Sequence, residues 1–141
     1  MIEHAIAHTD GGQRKEISGY SVYIEVSASP SNYIVEISEP LPKGTTTPVA
    51  EYTGLIAALD WAVKCHVEHF EVIMDAELVV RHMNGLYECK APHLRPLYEK
   101  AIELSLQIRE FSIHHVRRIY NVEADRLVNE AMDRGINAAK T

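Results

Sequence analysis

The spacing of apolar residues along the chain changes period repeatedly, and each change predicts an element. Ile2 to Thr9 alternates loosely, with Ile6 on one face and Ala5 and Ala7 on the other, and runs into Asp10-Gly11-Gly12, a turn signal that predicts the strand's end at a carboxylate. Gly19 to Ser27 and Asn32 to Glu39 are β-branched and aromatic runs separated by Ala28-Ser29-Pro30-Ser31, which predicts two further strands of an antiparallel meander. Pro40 to Thr46 is loop-like. Thr47 followed by Pro48 then offers an N-cap and a proline at the first helical position. Tyr52, Leu55, Ile56, Leu59 and Val63 recur at helical spacing with Asp60 and Lys64 opposite, an amphipathic helix able to pack on a sheet, with Glu51 near its start.

Beyond that helix, Phe70 to Met74 is too short an apolar run for a helix and reads as a buried strand, again ending at a carboxylate, Asp75. Leu78, Val79, His82 and Met83 follow at helical spacing until Asn84-Gly85, and a second helix spans about Leu94 to Arg109, after a loop with Pro92. Phe111 to Val116 predicts a fifth strand. Asn121 is placed to cap a last helix with Leu127, Val128 and Ala131 on one side and Asp125 in its first turns. The order of three strands, helix, strand, two helices, strand, helix predicts one α/β domain over residues 1–141 with a mixed sheet and no internal repeat.

Composition narrows this picture. Hydrophobic residues at 46% and charged residues at 24% describe a globular chain of 141 residues, long enough to bury a substantial core. No apolar stretch has the length of a membrane span, and Glu3 and His4 occupy the place of a signal peptide's basic and apolar run, so a cytoplasmic location is expected. Cys65 and Cys89 lack a CxxC or Cys/His neighbourhood and read as free thiols. Nothing demands an obligate protein partner, and a monomer is expected. A net charge of −6 opposes nucleic acid as a partner, unless several acids are ligands whose charge bound cations offset.

The acids supply the candidate chemistry. Asp10 and Asp75 fall at predicted strand ends and Glu51 and Asp125 near predicted helix starts, places from which side chains of separate segments converge in an open α/β sheet. Carboxylates brought together repel, so such a cluster requires cations or protons. An oxygen-only donor set suits Mg²⁺, and two such ions roughly 4 Å apart can activate a water and stabilise the leaving oxygen of a phosphodiester. Each acid taken singly also has a structural reading: a turn residue for Asp10, a helix-dipole partner for Glu51 and Asp125, an N-cap for Asp75.

Four blocks in order resemble the ribonuclease H family of the type 1 fold, in its short bacterial, archaeal and reverse-transcriptase-like branch. They are Thr9-Asp10-Gly11-Gly12; Ala50-Glu51-Tyr52 with Leu55, Ala58 and Leu59; Asp75 with Glu77 to Val80 and Asn84-Gly85, continuing through Tyr87, Lys90, Pro92 and Leu94 to Tyr98; and Asn121 to Asn129. The resemblance implies a five-stranded mixed sheet, three strands antiparallel and two parallel, flanked by helices. It implies that Asp10, Glu51, Asp75 and Asp125 are the metal-binding catalytic acids, holding two Mg²⁺ with Mn²⁺ as a substitute. It implies an endoribonuclease that hydrolyses the RNA strand of RNA–DNA hybrids, leaving a 3′-hydroxyl and a 5′-phosphate and telling the strands apart by ribose 2′-hydroxyls. The alternatives are a non-catalytic nucleic-acid-binding domain of this fold, or a metal-dependent nuclease of this fold acting on another nucleic acid.

Nucleic-acid contacts are expected from Gly11, Gly12, Gln13, Arg14, Thr47, Asn84, Lys90, Arg95 and Arg118, with Lys15 and His93 as further phosphate partners and Arg117 beside Arg118. The chain departs from the family pattern at Gln13 to Glu16, where a Gly-Asn-Pro-Gly-like loop is common, and at Thr46 to Val49, where paired asparagines are usual. Ala76 replaces a small hydroxyl residue, and Ile119 to Glu123 lacks the family's mobile histidine. His114 and His115 lie on the predicted fifth strand and are read as packed or solvated. No basic protrusion lies between Asn84 and Pro92, so weaker, salt-sensitive binding is expected.

Overall fold

The computed structural model describes residues 2–139. Five strands, β1 (Ile2–Arg14), β2 (Ile17–Ser27), β3 (Tyr33–Leu41), β4 (Val67–Met74) and β5 (Glu110–His115), form one sheet in the order β3-β2-β1-β4-β5. The meander β1-β2-β3 is antiparallel, and β4 and β5 are added parallel to β1. Among the described residues four α-helices and a 3-10 turn at Arg118–Tyr120 complete the fold: α1 (Thr47–Lys64), α2 (Glu77–Met83), α3 (Arg95–Ser105) and α4 (Val122–Ala139). The mixed five-stranded sheet expected from the sequence is present. Among the described residues no helix is long and apolar enough to cross a membrane.

The two faces of the sheet are covered differently. Ala5 and Ala7 of β1, Val22 and Ile24 of β2 and Val72 and Met74 of β4 are buried in one core with Tyr52, Leu55, Ala58, Leu59 and Ala62 of α1. Ala101 and Leu104 of α3 extend this layer. On the opposite face α4 lies over β1, β2 and β3, close enough that a Cβ at Gly19 would lie 3.0 Å from the Ala131 Cβ. Two hydroxyls tie it down: Ser21 donates to the Ala124 carbonyl and Ser38 to the Leu127 carbonyl, each at 2.6 Å. These bonds use carbonyls within α4, so they fix the helix's height above the sheet as well as its angle.

Several local expectations are corrected. β1 does not stop at Asp10-Gly11-Gly12 but continues to Arg14, and the hairpin turns at Lys15 and Glu16, both with positive φ. Gly11 is needed there for closeness rather than for turning: a Cβ would sit 2.3 Å from the Ala50 carbonyl carbon and the Glu51 nitrogen. Thr46, not Thr47, is the N-cap of α1, and its side chain makes no capping bond. The helix expected over Leu94 to Arg109 is the shorter α3, ended by tight turns at Leu106 to Ile108.

Candidate active site

All four acids line one cavity of about 250 Å³. Asp10 comes from within β1, Glu51 from α1, Asp75 from the bend just past β4, and Asp125 from the first turn of α4. The parallel pairing of β1 with β4 carries Asp10 and Asp75 to the same end of the sheet, with Thr9 opposite Met74. Close passage of α1 over Gly11 brings Glu51 to the same place. The remaining wall is Gly11, Gly12, Gln13, Thr47, Arg118, Val128, Asn129 and Met132.

The carboxylates are held unequally. Asp10, only 7% exposed, accepts one hydrogen bond, from the Gly11 N–H at 2.8 Å. Glu51 accepts none among the described residues. Burial, then the charge of Asp75 and more weakly that of Asp125, push Asp10 up to about 7, against the opposing pull of the Gly11 N–H and Arg118. Burial, then Asp10 and Asp75, push Glu51 up to about 7 as well. Asp125 is compensated: Arg118 donates to its Oδ1 through Nη2 at 3.0 Å and Nε at 3.2 Å. Among the described residues no group of three or more acids, histidines or cysteines stands close enough together to hold a metal ion as the side chains lie.

The donor set fits a hard divalent cation. Its acidic donors are oxygen alone, Asp10 is buried and Glu51 half-buried with no ion pair of their own, and Arg118 is the one cation in a lining that holds four acids. Buried, uncompensated carboxylates are costly, and nothing in the packing of the sheet requires them.

Of the expected nucleic-acid contacts, Gly11, Gly12, Gln13, Thr47 and Arg118 line the cavity, whereas Arg14, Asn84, Lys90 and Arg95 do not. Arg14 is paired with Asp133, Asn84 donates to the Ile113 carbonyl, and Arg95 binds Glu99 and the Cys89 carbonyl, so these three have structural partners. Lys90 is exposed, as are His114 and His115. Asn129 lies one turn beyond Asp125, a spacing of four that would have flagged it as a cavity residue. Asn121 is 1% exposed and does more than precede α4. Its Nδ2 donates to the Thr9 carbonyl at 3.0 Å, pinning the loop before α4 to the strand that carries Asp10.

Comparison with known proteins agrees with this architecture. A family model described as reverse transcriptase-like matches residues 9–131. The bifunctional protein Rv2228c of Mycobacterium tuberculosis is 38% identical over 136 residues, which are 95% of this chain but 37% of that protein, so the chain spans little more than a third of its relative. The solved N-terminal RNase H domain of Rv2228c, fused to maltose-binding protein, superposes with a TM-score of 0.88 at 35% identity, covering 99% of both chains. LC11-RNase H1, solved in complex with an RNA/DNA hybrid, gives a TM-score of 0.78 at 32% identity over 94% of this chain and 99% of that one. Matched by the family model along most of its length and by solved ribonuclease H structures along nearly all of it, this chain belongs to the type 1 ribonuclease H family.

Proposed function

We propose that the chain is an endoribonuclease that hydrolyses the RNA strand of RNA–DNA hybrids, with Asp10, Glu51, Asp75 and Asp125 holding two divalent cations, Mg²⁺ or in its place Mn²⁺. The observation that carries this reading is the delivery of four acids from four separate elements into one cavity. The hybrid bound by LC11-RNase H1 supports the choice of substrate.

Cations bound there would supply a water activated for attack on phosphorus and charge to stabilise the departing 3′-oxygen, giving 3′-hydroxyl and 5′-phosphate ends. The protein's own part is to position and to discriminate. The Gly11 N–H orients the Asp10 carboxylate, and the crossing of α1 over β1 fixes Glu51. Arg118, whose side chain is 72% exposed at the cavity wall, offers its guanidinium to a phosphate oxygen while keeping its hold on Asp125. Gln13, Thr47 and Asn129 line the cavity with groups able to meet ribose 2′-hydroxyls, the feature that separates RNA from DNA.

The test is cleavage of a hybrid labelled on its RNA strand, by wild type and by Asp75→Asn, with Mg²⁺, Mn²⁺ or a chelator. Cleavage by wild type with either cation, abolished by chelator and reduced at least about 100-fold in the variant, is expected. An RNA strand left intact under both cations, or a variant as active as wild type, would refute the proposal.

A further inference from the structure

Tyr52 and His82 lie outside the lining of the cavity. Tyr52 is fully buried and His82 is 4% exposed, yet both are polar, and the Tyr52 hydroxyl lies 2.7 Å from His82 Nδ1. The rings are nearly parallel at 14°, and Tyr98 of α3 meets the His82 ring edge-on. The buried Cys89 thiol lies against the same hydroxyl, which burial, first of all, pushes above the usual tyrosine range. A hydroxyl and an imidazole taken out of water require partners, and here each satisfies the other.

The two residues sit at informative places in the chain. Tyr52 follows Glu51 on α1, and His82 lies on α2, a helix of only seven residues that begins two residues after Asp75. Among the described residues theirs is the only side-chain hydrogen bond joining α1 to α2. Glu51 accepts no hydrogen bond of its own, so its carboxylate can be placed only through the backbone that carries it. β1 clamps that backbone from one side at Gly11. α2 is held at its far end by the Asn84 amide on the Ile113 carbonyl of β5 and along its length by the burial of Val79 and Val80, but its side-chain hydrogen bond to α1 is the one at His82. A helix rotation of about 10° displaces a side-chain tip by about 1 Å, given a helix radius with side chains of about 5–6 Å. Displacements of that size are enough to change how well a carboxylate can meet a cation.

We propose that the Tyr52–His82 pair is a positioning device: it locks α2 to α1 and so fixes where Glu51 and Asp75 stand in the cavity that would hold a divalent cation. The inference rests on the metal-dependent reading of the site and adds two residues to it, neither of which touches substrate or cation. Loss of the bond then acts on cation affinity and turnover, and leaves recognition of the hybrid alone.

The experiment uses the full chain and Mg²⁺ alone as probe, titrated calorimetrically into metal-free protein, together with steady-state cleavage of a hybrid. Tyr52→Phe removes one oxygen and keeps the ring, and it is expected to weaken Mg²⁺ binding and lower kcat by about tenfold each, with KM for the hybrid unchanged. His82→Leu should behave alike, Tyr52→Phe with His82→Leu should be no worse than either single change, and His82→Asn, which restores a polar atom near Nδ1, should recover most of the affinity. A purely structural bond gives another result: Tm falls in Tyr52→Phe while Mg²⁺ affinity and kcat stay at wild-type values, and that overturns the proposal. Wild type serves as the control that separates the two levels of argument. If it neither binds Mg²⁺ nor cuts the hybrid, the functional reading fails; if it does both and Tyr52→Phe matches it, only the positioning role fails.

Discussion

Neighbouring residues of one helix, Asp125 and Arg126, take part in two different gatherings of carboxylates. Around Arg126, Glu36 of β3 and Glu123 and Glu130 of α4 meet a single guanidinium at 2.6, 3.0 and 3.2 Å. These side chains are all 43–49% exposed, so water and Arg126 share the work of compensation. One residue earlier, Asp125 joins Asp10, Glu51 and Asp75 in a cavity where Asp10 is buried, Glu51 is half-buried, and the one lining cation, Arg118, is bonded to Asp125. The first cluster is an ordinary surface network that joins α4 to the edge of the sheet. The second carries a repulsion that Arg118 relieves only in part, and that difference is what the proposed cation site rests on.

The sharpest test of the difference is at the backbone, because the cavity depends on two backbones in close contact whereas the Arg126 network joins its elements through side chains. Gly11→Ala forces a Cβ into atoms 2.3 Å away in the α1 backbone, which side-chain rotation cannot relieve. A loss of roughly 3 kcal/mol or more in stability and of nearly all hybrid cleavage is expected, measured by urea unfolding and by the labelled assay. Nothing around Arg126 has this sensitivity.

Removing charge separates the clusters next. In metal-free protein at pH 8, Asp10→Asn relieves repulsion and should raise Tm by several degrees while abolishing the further rise that Mg²⁺ produces in wild type. A variant no more stable than wild type under these conditions would mean that the four acids are not in electrostatic conflict.

Proton linkage is a gentler probe of the same conflict. Asp10 and Glu51 are raised from 3.8 and 4.5 to about 7, so between those limits the folded state binds more protons than the unfolded one. Stability of metal-free protein should therefore fall as pH rises from about 4 to about 7 and then level off. Mg²⁺ competes with those protons, so the Tm gain it gives should be larger at pH 8 than at pH 5. Equal gains at both values would remove Asp10 and Glu51 from the cation site.

The smallest effect belongs to the compensated cluster. Arg126→Ala should lower Tm slightly, less at high salt, and leave hybrid cleavage within about twofold of wild type, as for exposed ion pairs generally. A large loss of activity would show that the surface network also shapes the cavity through α4.

Much of this was legible in one dimension. The helix beginning near Thr47-Pro48 and the strands read from Gly19, Asn32, Phe70 and Phe111 all exist, because hydrophobic period and proline chemistry act locally. Asp10-Gly11-Gly12 misled for an instructive reason. Gly-Gly is a local signal for turning, but here Gly11 gives room to a helix some forty residues further on, a need invisible in neighbouring sequence. Asn121 misled similarly: it stands where a cap belongs, yet its amide reaches Thr9, 112 residues away. His82 read as one more residue of an amphipathic period, and its bond to Tyr52 could not be inferred from spacing.

What the sequence determined alone was the succession of elements and the residue types from which a cation site could be made, since propensity, periodicity and donor chemistry belong to single segments. Only the tertiary structure decided that the four acids share a cavity, that Asp125 has a partner while Glu51 has none, and that Tyr52 meets His82. Those are distances between segments far apart in the chain, set by the parallel register of β1 on β4 and the crossing of α1 over Gly11, where burial converts nearby charge into strong repulsion.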